Sequence, residues 1–224
     1  MASKNSVKTY LENSYYHIYN RGVEKRRIFM DNQDFSVFLS YLETYLTPKD
    51  KNQLTATISS PTATPTEKDS SLKLLRLNNF ADLLDLVCYA LLPNHFHLLV
   101  HQTDNVLNRF MNSLGTRYGM YFNRKYKRSG VLFQDVYKAV PVESEEQLLH
   151  LSRYIHLNPA RWADSSLPCS LPDYLGLRHT SWIKSHHVLD YFSAKNASAS
   201  YADFIGTNID ADFIVPVAID YDAD

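Results

Sequence analysis

Apolar and polar positions alternate through SYYHIYNRG (14–22), a Tyr- and Ile-rich stretch that predicts a β-strand ended by Gly22. The period then changes. Phe35, Phe38, Leu39, Leu42 and Leu46 fall on one stripe of a helix over residues 31–46, with Asp31 placed to cap its first turn. From Thr47 to Ser71 the pattern is lost, because ten of 25 residues are Ser or Thr and three are Pro. So few large apolar side chains cannot offset the entropy of ordering, and a flexible insertion is expected at about 47–71. Apolar runs return in ADLLDLVCYALL (81–92), whose latter part predicts a strand. Pro93-Asn94 predicts a turn and HFHLLVH (95–101) a second strand, giving an antiparallel hairpin. Residues 104–127 carry a long amphipathic helical pattern ending in NRKYKR, and Ser129-Gly130 break it.

VLFQDVYKAV (131–140) reads as a strand or a short hairpin arm. A helix follows from about Glu143. Ser144 and Gln147 have capping-box spacing there, and Leu148, Leu151 and Ile155 form the core face. Strand, helix, strand, strand, helix, strand, helix is an α+β order. It predicts a ferredoxin-like split βαβ fold, a central antiparallel sheet with helices packed on it. The expected division is a domain over 1–165, a helical and loop extension over 166–205 with a helix near 182–192, and an acidic tail over 206–224.

A chain of 224 residues can bury one sizeable core. Cys88 and Cys169 are too few for a disulfide framework and lack metal-type spacing. No apolar run is long enough to span a bilayer, and the first residues lack the apolar stretch of a signal peptide. A cytoplasmic, nucleoid-associated protein with no membrane partner is expected. The net charge of −1 hides a partition. Residues 197–224 hold six acids and no Lys or Arg, so residues 1–196 carry 23 basic against 18 acidic residues. Residues 105–138 concentrate that excess, with Arg109, Arg117, Arg124, Lys125, Lys127, Arg128 and Lys138 against Asp135 alone. A basic body suits a polyanion, although solvated helix faces are often basic without one.

His95 and His97 carry the sharpest chemistry. Residues two apart on a strand share a face with Cα atoms roughly 6.6 Å apart, close enough for two imidazoles to converge on one ion. Phe96 would point into the helix layer. His101 shares the face but lies too far along to share that ion. A His-x-His pair alone is more often just polar decoration of an exposed sheet face, so a third ligand is needed. Tyr154 and Asn158, at i and i+4 on the helix from Glu143, are stacked neighbours on its flank. Separately, a helical Tyr is usually half-buried core and Asn-Pro a helix end. Together they place a nucleophile and an oxygen ligand opposite the two histidines. His156 lies about 200° around the helix from Tyr154 and should point away.

Four stretches carry a resemblance to a known family: YHIYNRGVEKRRIFMDNQDFSVFLSYL (16–42), CYALLPNHFHLLV (88–100), RYGMYFNRKYKRSGVLFQ (117–134) and RYIHLNPARW (153–162). In that order they resemble the single-tyrosine HUH transposases, and within these the REP-associated tyrosine transposases of the insertion-sequence-200-like kind. Asp135-Val136 departs from the basic pair expected there. The resemblance implies Tyr154 as the catalytic nucleophile and a Mg²⁺ or Mn²⁺ ion held by His95, His97 and Asn158. It also implies cleavage and rejoining of hairpin-bearing single-stranded DNA of the REP/BIME kind through a 5′-phosphotyrosine link. The chain would act as a monomer or homodimer. Expected DNA contacts are Asn20, Arg21, Arg117, Arg124, Lys125, Lys127, Arg128, Arg153 and Arg161, with Tyr118, Tyr121, Phe122 and Tyr126 interleaved and at least two of these in the core. Two competing readings stand beside this one. One is a domesticated sequence-specific DNA-binding protein without transposition activity. The other is a zinc hydrolase using His95, His97 and a carboxylate.

Overall fold

The computed structural model describes residues 10–162 and 166–206. Four strands, β1 (Ser14–Arg21), β2 (Leu84–Leu92), β3 (His95–Gln102) and β4 (Lys138–Val142), form one sheet in the order β2-β3-β1-β4, antiparallel throughout. Helix α1 (Asn32–Leu46) links β1 to β2, and α4 (Leu107–Lys125) links β3 to β4. Each connection skips one strand, so both are split βαβ units. The expected α+β architecture is therefore the observed one. Asp31 caps α1 by accepting from the Asp34 backbone, and Phe35, Phe38, Leu42 and Leu46 are buried on the expected stripe. Pro93 and Asn94 make the two-residue hairpin turn, with Leu92 paired to His95.

The sheet is covered on both faces. Phe96 packs against Phe38 of α1 and Phe133, and both of these meet Tyr118 of α4, which puts α1 and α4 on one face. Helix α5 (Glu145–Arg161) lies on the other, with Leu148, Leu151 and Ile155 buried. Ser144 caps α5 through the Gln147 backbone, while the Gln147 side chain accepts from Glu143 rather than Ser144, so the capping box is half formed. Pro159 sits inside α5, which runs on to Arg161. A proline that close to the end removes one late hydrogen bond without ending the helix.

Two elements differ from expectation. The sequence predicts a flexible insertion at about 47–71, yet α2 (Lys51–Ser59) and α3 (Pro65–Arg76) form there. Asp50 caps α2, and a full capping box joins Thr64 to Glu67 at the start of α3 with Pro65 in its first turn. Local capping makes these helices, and almost none of their side chains is buried. Residues 131–137 form a loop, tied to β1 by a bridge from Phe133 to Gly22, and β4 begins only at Lys138.

After α5 come α6 (Leu171–Tyr174), α7 (His186–Leu189) and α8 (Ala197–Gly206). The helix expected near 182–192 is thus a single short turn, and α8 was not foreseen. This extension shields the outer edge of β2 through bridges Ala90–Cys169 and Leu86–Ile183. Tyr174 Oη also donates to the Val87 carbonyl oxygen at 2.9 Å. An uncovered edge strand would invite pairing with another chain. The acidic tail falls outside the described residues. Among those described, no helix is long and apolar enough to cross a membrane.

Gly22 closes β1 against the turn that carries the histidine strand. Its N–H donates to the Asn94 carbonyl oxygen at 2.9 Å. Its φ of −62° suits any residue. A Cβ there, however, would lie 2.2 Å from the Arg26 carbonyl oxygen and 2.9 Å from Ile28 Cγ2. Gly22→Ala should therefore lower the unfolding free energy by about 1–3 kcal/mol, as for other overpacked sites. Chemical denaturation measures this, and an unchanged midpoint would contradict the steric assignment.

Candidate active site between the sheet and helix α5

Strand alternation turns Tyr15, His17, Tyr19, His95, His97 and His101 to the α5 face, where Tyr154 meets them. The Tyr154 ring stands perpendicular to that of His97, with centroids 5.6 Å apart, and edge-on to His17 at 6.3 Å. His95 and His97 stack edge to face at 5.0 Å. Tyr154 is only 5% exposed and both histidines are buried. The Tyr154 ring thus lies against His97, on the sheet face that also carries His95. Asn158 is buried one turn further along α5, its Nδ2 donating to the Tyr154 carbonyl oxygen at 2.9 Å, with its Oδ1 still able to accept. His156 points away into a separate network with Tyr201 and Ser170, as its helical angle implied.

Burial keeps these imidazoles neutral. The pKa of His95 is pushed down to about 4, first by desolvation and then by the neighbouring Arg21 cation. His97 is lowered well below its ordinary value by burial, with His17, His95 and Arg161 adding to it. Tyr19 lies beside His97 and is pushed up to about 12 by burial and by the charge Tyr154 would carry. Neutral imidazoles keep the lone pair that a metal requires.

Two hydrogen bonds then orient those lone pairs. His95 Nδ1 donates to Asn94 Oδ1 at 2.6 Å, which puts the lone pair on Nε2. His97 Nδ1 lies 2.9 Å from His17 Nε2. His97 Nε2 is buried with no hydrogen-bond partner. If His97 Nδ1 donates to His17, the lone pair of His97 sits on that Nε2. This is the way metal-bound histidines are held by a second residue. The residues present therefore fit a divalent ion. His17 and Asn94 were not singled out from the sequence. The β1–β3 register that brings His17 beside His97 is a long-range property that no local pattern reports.

The expected DNA-contacting residues divide. Arg21 pairs with His95 across β1 and β3, and the Arg161 guanidinium lies 5.1 Å from the Tyr154 ring centroid, so these two flank the site. Asn20 faces the opposite side, where it donates to the Asp135 carbonyl oxygen and lines a cavity of about 500 Å³ with Phe96 and α4. The α4 residues also belong to that opposite face. Lys125 is ion-paired to Asp31 and Asp34, Arg117 stacks 3.7 Å over Tyr41, and Arg128 donates to Asn123. Arg124 and Lys127 are exposed. Arg153 donates twice to the Ile205 carbonyl oxygen at the end of α8. Tyr118 and Phe122 are core residues.

A split βαβ sheet with a buried histidine pair beneath a helix-borne tyrosine sets the structural class. Residues 78–158 match the model of the family described as transposase, IS200-like, which takes in β2, β3, α4, β4 and most of α5. Over this stretch the chain is similar to the IS200-like transposases. Its structure is similar to that of the REP-associated tyrosine transposase bound to a REP hairpin, with a TM-score of 0.49 and 8% identity, covering 81% of this chain and 98% of that one. It is also similar to a candidate transposase from Deinococcus radiodurans R1, with a TM-score of 0.36 and 15% identity, covering 67% and 95% of the two chains. No curated protein matches its sequence.

His95, His97 and His156 are neutral when buried, with His156 lowered to about 3 by burial. Each takes up a proton on unfolding once the pH is below its ordinary value of 6.5. Their contribution is therefore full above that pH and is lost as the pH falls toward the folded-state value, by about 1.4 kcal/mol per unit for each histidine. Thermal melts should show the midpoint dropping steadily from about pH 7 to about pH 4.5. A flat profile would mean that these rings are not held neutral.

Proposed function

We propose that this chain cleaves and rejoins hairpin-bearing single-stranded DNA through Tyr154. The observation that carries the reading is the Tyr154 ring packed at 5.6 Å against His97, in a site with a second buried histidine. The substrate class follows from the family resemblance. Tyr154 Oη attacks the scissile phosphorus as its proton leaves, and the bond from phosphorus to the 3′ oxygen breaks. The products are a 5′-phosphotyrosine link and a free 3′-hydroxyl. Attack by a 3′-hydroxyl on that link restores a phosphodiester and frees the tyrosine. No nucleoside triphosphate is consumed, because the bond energy is kept in the covalent link.

His95, His97 and Asn158 would hold a divalent ion of the Mg²⁺ or Mn²⁺ kind. When bound there, it supplies polarisation of the scissile phosphate and neutralises its developing charge. His17 and Asn94 hold the two ring nitrogens in place. Arg161, over the tyrosine ring, and Arg21, beside His95, would bind the phosphates on either side.

A labelled hairpin oligonucleotide incubated with the protein and Mg²⁺ or Mn²⁺ should give a covalent protein–DNA band that disappears in Tyr154→Phe. DNA binding without any such band, in the parent protein, would support the DNA-binding module instead. Small-molecule hydrolysis that survives Tyr154→Phe would support the zinc hydrolase. Affinity should fall with salt, because each phosphate contact on a single strand contributes a slope of about −0.7 in log K against log salt. Arg161→Ala should reduce the magnitude of that slope by about 0.7 with the fold intact. An identical slope would remove Arg161 from the phosphate path.

A further inference from the structure

A second cluster of ligating side chains lies at the other end of the same sheet face. Asp85 at the start of β2 pairs directly with His101 at the end of β3, and Tyr15 of β1 pairs with His101 from the other side. His187 of α7 closes the group from above, its ring 5.1 Å from that of His101. One potential ligand atom from each of Asp85, His101 and His187 lies within 4.8 Å of the others. His101 stands four residues beyond His97, roughly 13 Å along the strand. The proposed transposase site therefore does not include it.

Each nitrogen here has a specific setting. His101 Nδ1 is buried and has no hydrogen-bond partner. His187 Nε2 is 2.9 Å from Asp85 Oδ2, and His187 Nδ1 is 2.8 Å from Tyr15 Oη. In the metal-free arrangement Nε2 carries the proton and donates to Asp85, while Nδ1 accepts from Tyr15. The other neutral tautomer reverses this. Nδ1–H then donates to Tyr15 Oη, and the Nε2 lone pair and the Asp85 carboxylate face one point together. That is the orientation in which a second residue holds a metal-bound histidine. The Asp85 carboxylate supplies the negative charge that an ion there would meet.

The geometry points to a second metal site, in which Asp85, His101 and His187 bind one transition-metal ion of the Zn²⁺ class and clamp α7 to the sheet. Two imidazoles and one carboxylate suit Zn²⁺ and its first-row neighbours. Mg²⁺ and Ca²⁺ prefer all-oxygen shells. Ligands 2.0–2.1 Å from a tetrahedral ion lie roughly 3.3 Å apart, so the His187–Asp85 pair need open by only a few tenths of an ångström. His187 and Asp85 are both partly open to solvent, which gives an ion a way in and leaves a fourth position for water. The site's role is structural. Residues 166–206 otherwise reach this end of the sheet through short bridges and the single turn of α7.

Zn²⁺ titration of the full chain, read by calorimetry and by bound-metal analysis, tests this. The parent protein should bind an ion that is lost in both His187→Ala and Asp85→Asn and retained in His97→Ala, whatever further ion the tyrosine site takes up. Tyr15→Phe should keep the ligands but weaken this ion about 10–100-fold, since it removes only the group that orients His187. Co²⁺ in place of Zn²⁺ should give visible absorption of a low-coordinate ion that disappears in His187→Ala. Zinc binding identical in the parent and His187→Ala proteins would overturn the proposal. So would a single bound ion lost only in His97→Ala, which would place the metal at the tyrosine site alone. Neither result bears on the DNA-joining reading, whose test is the covalent band at Tyr154.

Discussion

The contact between His17 and His97 is the interaction on which the site depends. Two imidazoles 2.9 Å apart in a buried setting can share one proton between them but cannot both be charged. Burial and their mutual proximity hold His97 neutral, and the hydrogen bond sets the plane of its ring. A ring rotated out of that plane would re-aim Nε2. The contact in turn requires the β1–β3 register, in which Tyr19 faces His97 and His17 faces Leu99. A slip of one residue would send the histidines into the α1–α4 layer, where Phe96 and Ile18 now sit. The cost of leaving His97 Nε2 buried and unpartnered is on the order of 1–3 kcal/mol. The core elements around it, Phe96 on one side and Ile155 on the other, provide the packing that sustains it.

Charge is distributed by a second buried centre. Asp34 is fully buried at the start of α1 and accepts from Tyr121 Oη, Tyr126 Oη, Lys125 Nζ and the Met30 backbone. A buried carboxylate needs that many donors, and α4 with its C-cap residue Tyr126 supplies three of them. The basic run at the end of α4 therefore has two uses. Lys125 and the two tyrosines fasten α4 to α1, and Arg124 and Lys127 remain at the surface. A sum over charges along the sequence treats these cations alike, whereas the fold separates those that neutralise the protein itself from those available to a polyanion.

The sheet and its helices were legible because their signals are local and periodic. Alternation in 14–22, the stripe from Phe35 to Leu46 and the Pro93-Asn94 turn each depend on near neighbours. His95, His97, Tyr154 and Asn158 were legible as pairs at strand and helix spacing, and the face each pair takes follows from those periods. The helices at 51–59 and 65–76 were missed because composition outweighed capping. The Thr64-x-x-Glu67 box with Pro65 is a start signal in its own right, yet almost no apolar burial accompanies it. His17, Asn94 and the Asp85–His101–His187 group were missed for a different reason. Each is assembled across residues far apart in the chain, by strand register or by the docking of α7, and one sequence does not encode a register in any window. Arg153 illustrates the reverse case. A cation beside a nucleophile reads as a phosphate contact, but α8, itself unforeseen, places a carbonyl oxygen on its guanidinium.

Tyr154 presents a further constraint, since a phenol with 5% of its surface exposed must still meet a phosphate. The Arg161 guanidinium lies over its ring, at 5.1 Å from the centroid and on an exposed residue. A cation–π contact at such a site is worth about 0.5–1 kcal/mol, whereas a charge-assisted hydrogen bond to an anion is worth about 1.5–3 kcal/mol. On the proposed reading, a phosphate therefore offers Arg161 a stronger contact than the Tyr154 ring does, so the side chain that packs over the nucleophile's ring would also bind the strand beside it.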